Sequence, residues 1–288
     1  MKIYLVLLLF LWGCAADLQE IGATKIVFCH DETRNIVLRQ ATGKCTGKVV
    51  SEEQAKQIEK NRQSSTVDRN AQDSLNEMKL KSAGTGFALN PEGDILTSAH
   101  VVHQCKEVGL RGRDHNLIPA SLVLTDDAVD LAVLRSSLPL LYYAQFSPLG
   151  AQDGDLLALY GFPVDGMLRI EPKFSPLNAN FMIGNPAQSV LGLIGDVRRG
   201  NSGGPVFNSK GEVVGVVKST IDTRAAYQQS GRLITQIGLA VDHGAAIQFL
   251  QTHKVPFFRV EKNGSELTTR MLVNKAESIV YRVDCLVD

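Results

Sequence analysis

Gly200-Asn201-Ser202-Gly203-Gly204-Pro205-Val206-Phe207-Asn208, then Gly211-Glu212-Val213-Val214-Gly215-Val216-Val217, is a glycine-rich turn followed by short apolar runs bounded by turn residues. The same texture extends outward in both directions. Upstream lie Gly86-Phe87-Ala88-Leu89, Ile95-Leu96-Thr97, Leu122-Val123-Leu124, Leu131-Ala132-Val133-Leu134 and Leu156-Leu157-Ala158-Leu159; downstream lies Ile237-Gly238-Leu239-Ala240-Val241. Many short strands at close spacing, separated by Gly, Pro, Asn and Asp, predict an all-β barrel or sandwich from Ala83 to about Gly244. Ala245–His253 reads as a short helix, and Phe257–Val260 and Ile279–Leu286 as two more strands.

The N-terminal part has a different character. Lys2, the apolar run Ile3–Trp12 and the small residues Gly13, Cys14, Ala15 and Ala16 read as an export signal, too short to span a bilayer as a helix. Two processing routes are open: cleavage before Asp17, or lipidation of Cys14 within a lipobox-like Leu11-Trp12-Gly13-Cys14, which would anchor the chain to a membrane. Either route takes the protein to the cell envelope, the periplasm or the exterior. Residues 17–50 form a small β unit, and Ser51-Glu52-Glu53-Gln54 is a capping box that starts a helix. The polar stretch to Lys81 reads as a solvated helix or linker, so the expected division is a signal over 1–16, a hairpin and linker over 17–82, and one large domain over 83–288 with a C-terminal strand extension.

Beyond Cys14, Cys29, Cys45, Cys105 and Cys285 form an even set, which in an exported chain points to disulfides with three allowed pairings. Cys29 and Cys45 are close in sequence and flank a hairpin-like stretch. Closing a loop of that size contributes about 3 kcal/mol.

Thirty basic and thirty acidic residues leave no net charge, which argues against a nucleic-acid partner. Three segments instead carry the elements of nucleophilic catalysis. A serine hydroxyl needs a base to take its proton, a partner to orient that base, and donors aimed at the oxyanion. Ser202, between Gly200 and Gly203, sits on a tight exposed turn where the Gly200 and Ser202 amides could converge. His100, in Leu96-Thr97-Ser98-Ala99-His100-Val101-Val102, stands at a strand end, and Asp130 opens the apolar run Leu131–Leu134. Asp126 and Asp127 read as turn residues.

Together these segments resemble the chymotrypsin-type serine peptidases, and most closely the protease domain of the bacterial Htr/Deg type. The likeness rests on Gly84-Thr85-Gly86-Phe87, Thr97–Val102, Val129–Leu134, Arg199–Asn208 with Gly211–Val216, and Gly238–Val241. It implies two six-stranded antiparallel β-barrels with His100, Asp130 and Ser202 in the cleft between them. It further implies a polypeptide substrate, bound along an exposed edge at Val216, Val217 and Lys218 by strand addition. A cysteine shortly after the histidine, tied to the chain's tail, is implied for Cys105 and Cys285. The family's usual C-terminal peptide-binding domain is missing from this sequence, so its regulation is not carried over.

Asp196, six residues before Ser202, is a candidate pocket-floor acid that would select Lys or Arg; the alternative is an ordinary loop residue. Neither a metal nor a cofactor is called for, since His100 and His103 have no ligand set around them. The rival to a serine endopeptidase is a catalytically silent binding or scaffold protein on the same fold.

Overall fold

The computed structural model describes residues 26–32, 36–66, 75, 77–113, 115–164, 171–181, 189–220, 236–261 and 264–288. The segment read as an export signal, with Cys14, lies outside the described residues.

The N-terminal unit is a three-stranded antiparallel sheet, β1 (Ile26–Asp31) between β2 (Ile36–Ala41) and β3 (Lys48–Val50), followed by helix α1 (Glu52–Thr66). A disulfide joins Cys29 to Cys45. The capping box forms as expected. The Gln54 amide donates to Ser51 Oγ at 3.1 Å, and the Ser51 amide donates to Gln54 Oε1 at 2.9 Å, so orphan amides are satisfied reciprocally. The helix is not wholly solvated. Ala55 is completely buried and packs with Val37, Val50 and Ile58 against Leu141 and Tyr142, which fastens the unit to the larger domain.

The first barrel contains β4 (Lys79–Ala88), β5 (Asp94–Thr97), β6 (Glu107–Arg111), β7 (Leu117–Asp126) and β8 (Leu131–Ser136), with the short helix α2 (Ala99–Val102) between β5 and β6. The boundary expected near Ser82 therefore falls inside β4. Five staves cannot close this ring, and the sixth comes from the far end of the chain. Strand β17 (Val280–Val287) inserts antiparallel between β4 and β6, giving the closed order β17-β4-β5-β8-β7-β6. What reads in sequence as a C-terminal extension is a structural stave. Its buried Asp284 receives hydrogen bonds from Arg111 Nε at 2.9 Å and from Arg282 Nε at 2.6 Å, so the charge is paired inside the strand interface.

After the short β9 (Gln145–Phe146), the second barrel is built from β10 (Leu156–Gly161), β11 (Lys173–Ala179), β12 (Val190–Gly195), β13 (Pro205–Phe207), β14 (Val213–Thr220) and β15 (Ile237–Asp242). The order β13-β10-β11-β12-β15-β14 closes on itself through β13–β14. Helix α3 (His243–Thr252) follows, capped by Asp242, whose side chain accepts the Ala245 amide at 2.9 Å. Strands β9 and β16 (Phe258–Arg259) add in parallel at the outer edge of β14. The fold is thus the expected pair of six-stranded antiparallel barrels. Helix α4 (Thr269–Ile279) was not anticipated, although its buried Leu272, Ala276 and Ile279 recur at helical spacing.

A shared apolar cluster joins the barrels. Phe87, Leu96, Leu131 and Val133 from the first meet Tyr160, Phe207, Val213, Val216 and Val241 from the second, with Phe146 between them. Burial of this kind contributes roughly 1.5–3 kcal/mol per large side chain and fixes how the two barrels face each other.

The second disulfide, Cys105–Cys285, ties the segment after α2 to β17 across 180 residues of sequence. Replacing both cysteines with serine is expected to lower unfolding free energy by about 2–5 kcal/mol, read by denaturant melts under oxidising conditions. Unchanged stability would show that strand pairing alone holds the last stave.

Candidate active site

Asp130 lies at the entrance to β8 with a left-handed backbone, φ 60°, the conformation that turns the chain into the strand. The preceding turn is closed by Asp126, whose Oδ1 accepts the Ala128 amide at 2.9 Å, consistent with its reading as a turn residue. Asp130 is almost fully buried and directs its carboxylate at the start of α2. Oδ1 accepts the His100 backbone amide at 3.1 Å, and the ring Nδ1 of His100 lies 3.0 and 2.9 Å from Oδ1 and Oδ2. Because both facing atoms are carboxylate acceptors, Nδ1 must carry the proton. In the neutral ring that leaves the lone pair on Nε2. The His100 side chain is half exposed.

Ser202 lies on the loop before β13, and that loop is hydrogen-bonded to the first barrel. The Thr85 amide donates to Ser202 O at 2.9 Å, and Gly203 donates to Val217 O at 2.7 Å. Val217 O also accepts the hydroxyl of Ser98, two residues before His100, at 3.1 Å. Glycine is required where this loop meets β4 and β5. Gly203 has φ 83°, and a Cβ there would lie 2.2 Å from Thr85 O and 2.3 Å from Thr97 Oγ1. The loop therefore packs directly on the backbone that leads to His100. No hydrogen bond joins the Ser202 hydroxyl to the His100 ring in this structure; such contacts are often loose in unliganded sites.

The loop's backbone hydrogen bonds account for its remaining geometry. Arg199 O accepts from Val164, Gly200 O from the Thr85 hydroxyl, Asn201 O from Gly204, and Ser202 O from Thr85. The amides of Asn201, Gly203 and Gly204 donate to Arg198, Val217 and Asn201. Among the described residues, the amides of Arg199, Gly200 and Ser202 are left without a backbone acceptor. Those of Gly200 and Ser202 are the two that the sequence assigns to an oxyanion. Asn201, between them, is buried, and its Oδ1 finds no donor among the described residues.

Two expectations need correcting. Val216 and Val217 do not form an exposed edge. Both are buried, Val216 pairs with Pro205 and Val241, and the two backbone groups of Val217 are taken by Gly203 and Gly204. The loop that bears Ser202 itself occupies that part of the strand edge. Lys218, beyond it, is the extra residue of a bulge, sitting between the pairs Val217↔Ala240 and Ser219↔Leu239. Asp196, in turn, is already neutralised. Its oxygens accept Arg198 Nε at 2.6 Å and Lys173 Nζ at 2.7 Å, and these bonds hold its carboxyl below the usual range. Lys173 is 23 residues away in sequence, so only the fold could reveal the pair.

Residues 84–216 match the family model of the trypsin-like peptidase domain. Among curated relatives, serine endoprotease DegS of Haemophilus influenzae is 30% identical over 57% of this chain and 48% of its own length. A probable periplasmic serine endoprotease, DegP-like, of Hahella chejuensis is 31% identical over 57% of this chain and 35% of its own. The chain thus spans less than half of either relative. The solved structure described as HtrA-type protease AlgW with decapeptide superposes with a TM-score of 0.50 at 22% identity, over 59% of this chain and 50% of that one, a likeness of fold. Residues 84–216, inside the double barrel, therefore match a trypsin-like peptidase domain. The same part of the chain is similar in sequence to proteins named as serine endoproteases DegS and DegP-like.

Gly203→Ala should destabilise the protein by about 2–4 kcal/mol, through a left-handed backbone and a clash with backbone oxygen. Thermal melts of the full chain measure this. A variant as stable as the parent would show that the loop is not packed against Thr85 as described.

Proposed function

We propose that this protein is a serine endopeptidase in which Ser202 is the nucleophile, His100 the general base and Asp130 the group that orients it. The observation that carries the proposal is an imidazole fixed by Asp130 in a fold whose serine loop leaves the Gly200 and Ser202 amides without a backbone acceptor among the described residues. With Nδ1–H held by Asp130, Nε2 can take the Ser202 proton as Oγ bonds to the scissile carbonyl carbon. The carbonyl π electrons move to oxygen, and the Gly200 and Ser202 amides stabilise the resulting oxyanion. As the oxyanion collapses, the C–N bond breaks and the imidazolium returns its proton to the leaving amine. Water then repeats the sequence on the acyl-enzyme and releases the acid.

The substrate backbone pairs with β14 from Lys218 onward, the part of the edge that the nucleophile loop does not occupy. With Asp196 paired to Arg198 and Lys173, the candidate pocket-floor acid brings no uncompensated negative charge. Its neighbour Val197 is buried in the apolar cluster of the second barrel. This favours small uncharged side chains over Lys and Arg before the cleaved bond. Two disulfides and relatives named as periplasmic support an exported protein working in the periplasm or cell envelope.

A fluorophosphonate probe should label the wild-type chain and leave Ser202→Ala unlabelled, with His100→Ala slowed by several orders of magnitude. Absence of wild-type labelling would favour a silent binding protein. In a peptide library, cleavage after Ala or Val should exceed cleavage after Lys or Arg by about tenfold or more. Dominance of basic residues would mean that the Asp196 ion pairs open for substrate.

A further inference from the structure

Thr85 is completely buried where β4 touches the nucleophile loop, and it engages that loop in two ways. Its backbone amide donates to Ser202 O at 2.9 Å. Its hydroxyl lies 2.6 Å from Gly200 O and accepts the Phe162 amide at 3.0 Å. A hydroxyl has a single proton. With the Phe162 N–H directed at the oxygen, that proton has one carbonyl to go to, and the direction of the bond to Gly200 O is determined.

This bond falls on a peptide flanked by glycine on one side. Gly200 has φ 88° and no Cβ, so little intrinsic resistance opposes rotation of the Gly200–Asn201 peptide about its flanking bonds. On the nitrogen side that peptide is held by the Asn201 amide bond to Arg198 O at 3.1 Å. On the oxygen side it is held by the Thr85 hydroxyl. The peptide links the two α-carbons between the free amides of Gly200 and Ser202. Its tilt sets the angle between those donors. The next peptide but one, Ser202–Gly203, is clamped in the same manner, by Thr85 N–H on its oxygen and Val217 O on its amide.

We infer that Thr85 is a positioning residue for the reaction: its hydroxyl locks the Gly200–Asn201 peptide so that the Gly200 and Ser202 amides converge on the oxyanion. The inference rests on the reading of Ser202 as nucleophile. Negative charge on the carbonyl oxygen develops only on the way to the transition state, so disturbing the donors should cost turnover and leave ground-state peptide binding nearly intact.

Thr85→Ser and Thr85→Ala make the test, because both lose the methyl group and they differ only in the hydroxyl. On a peptide that the wild type cleaves, Thr85→Ala is expected to lose about 10–100-fold in kcat with KM changed by less than about threefold. Thr85→Ser should stay within about threefold of wild type in both. A peptide aldehyde of the same sequence adds the Ser202 O–H across its C=O, the new oxygen of the hemiacetal lying between the two amides. Its affinity should fall with the Thr85→Ala kcat and be restored in Thr85→Ser. Thermal melts establish that each variant is folded; if Thr85→Ala is not, the isosteric Thr85→Val takes its place. Equal kinetics for the Ser and hydroxyl-free variants, or a loss confined to KM, would overturn the assignment of Thr85 while fluorophosphonate labelling of the wild type still stands. A wild type that is neither labelled nor active overturns the nucleophile reading, and this inference with it.

Discussion

The single amide bond from Thr85 to Ser202 O couples the two barrels at their most consequential point. Strand β4 supplies it, and β4 is also the strand on which the first barrel closes, pairing with β5 on one side and β17 on the other. Whatever fixes β4 therefore fixes the distance between the imidazole platform and the serine loop. The apolar cluster shared by Phe87, Phe146, Phe207 and Val213 brings the barrels together without direction. The hydrogen bonds of Thr85, Ser98 and Val217 then set the register of one barrel on the other.

Closure of the first barrel by the last strand has a consequence for how the molecule is put together. The stave beside β4 and β6 begins only at Val280, long after β5 has ended at Thr97, so the barrel that bears His100 is completed by β17. Loop closure over so long a separation is entropically costly. The paired Asp284, the eight-residue pairing with β4 and the Cys105–Cys285 bond all fall on that strand, where the cost must be offset. The same arrangement puts Cys105 three residues beyond α2, so the helix bearing His100 is tied to the closing strand.

The site was legible in large part because its chemistry demands particular residue types at close spacing. Ser202 needs glycines on both sides for a turn packed against backbone, and Asp130 needs to enter an apolar strand to be shielded. Both are local requirements and leave local marks. The capping box at Ser51–Gln54 and the turn at Asp126 were readable for the same reason. Helix α4 escaped because Leu272, Ala276 and Ile279 are sparse among polar residues, and their burial depends on contacts with the barrels. The Val216–Val217 edge was misjudged because alternation cannot say which neighbour takes a strand's free side, and here the nucleophile loop does.

What the amino-acid sequence determined on its own was the short-strand all-β architecture, the candidates His100, Asp130 and Ser202 for the proposed chemistry, and the glycines of the loop around Ser202. These follow from steric and chemical constraints acting within about ten residues of chain. The tertiary structure alone decided that the tail is a barrel stave, that Lys173 and Arg198 neutralise Asp196, and that Thr85 reaches Gly200 O across 115 positions of sequence. Those are pairings between distant segments. A hydroxyl or carboxylate carries no local mark of the partner it will meet, because the partner is chosen by how the two barrels pack.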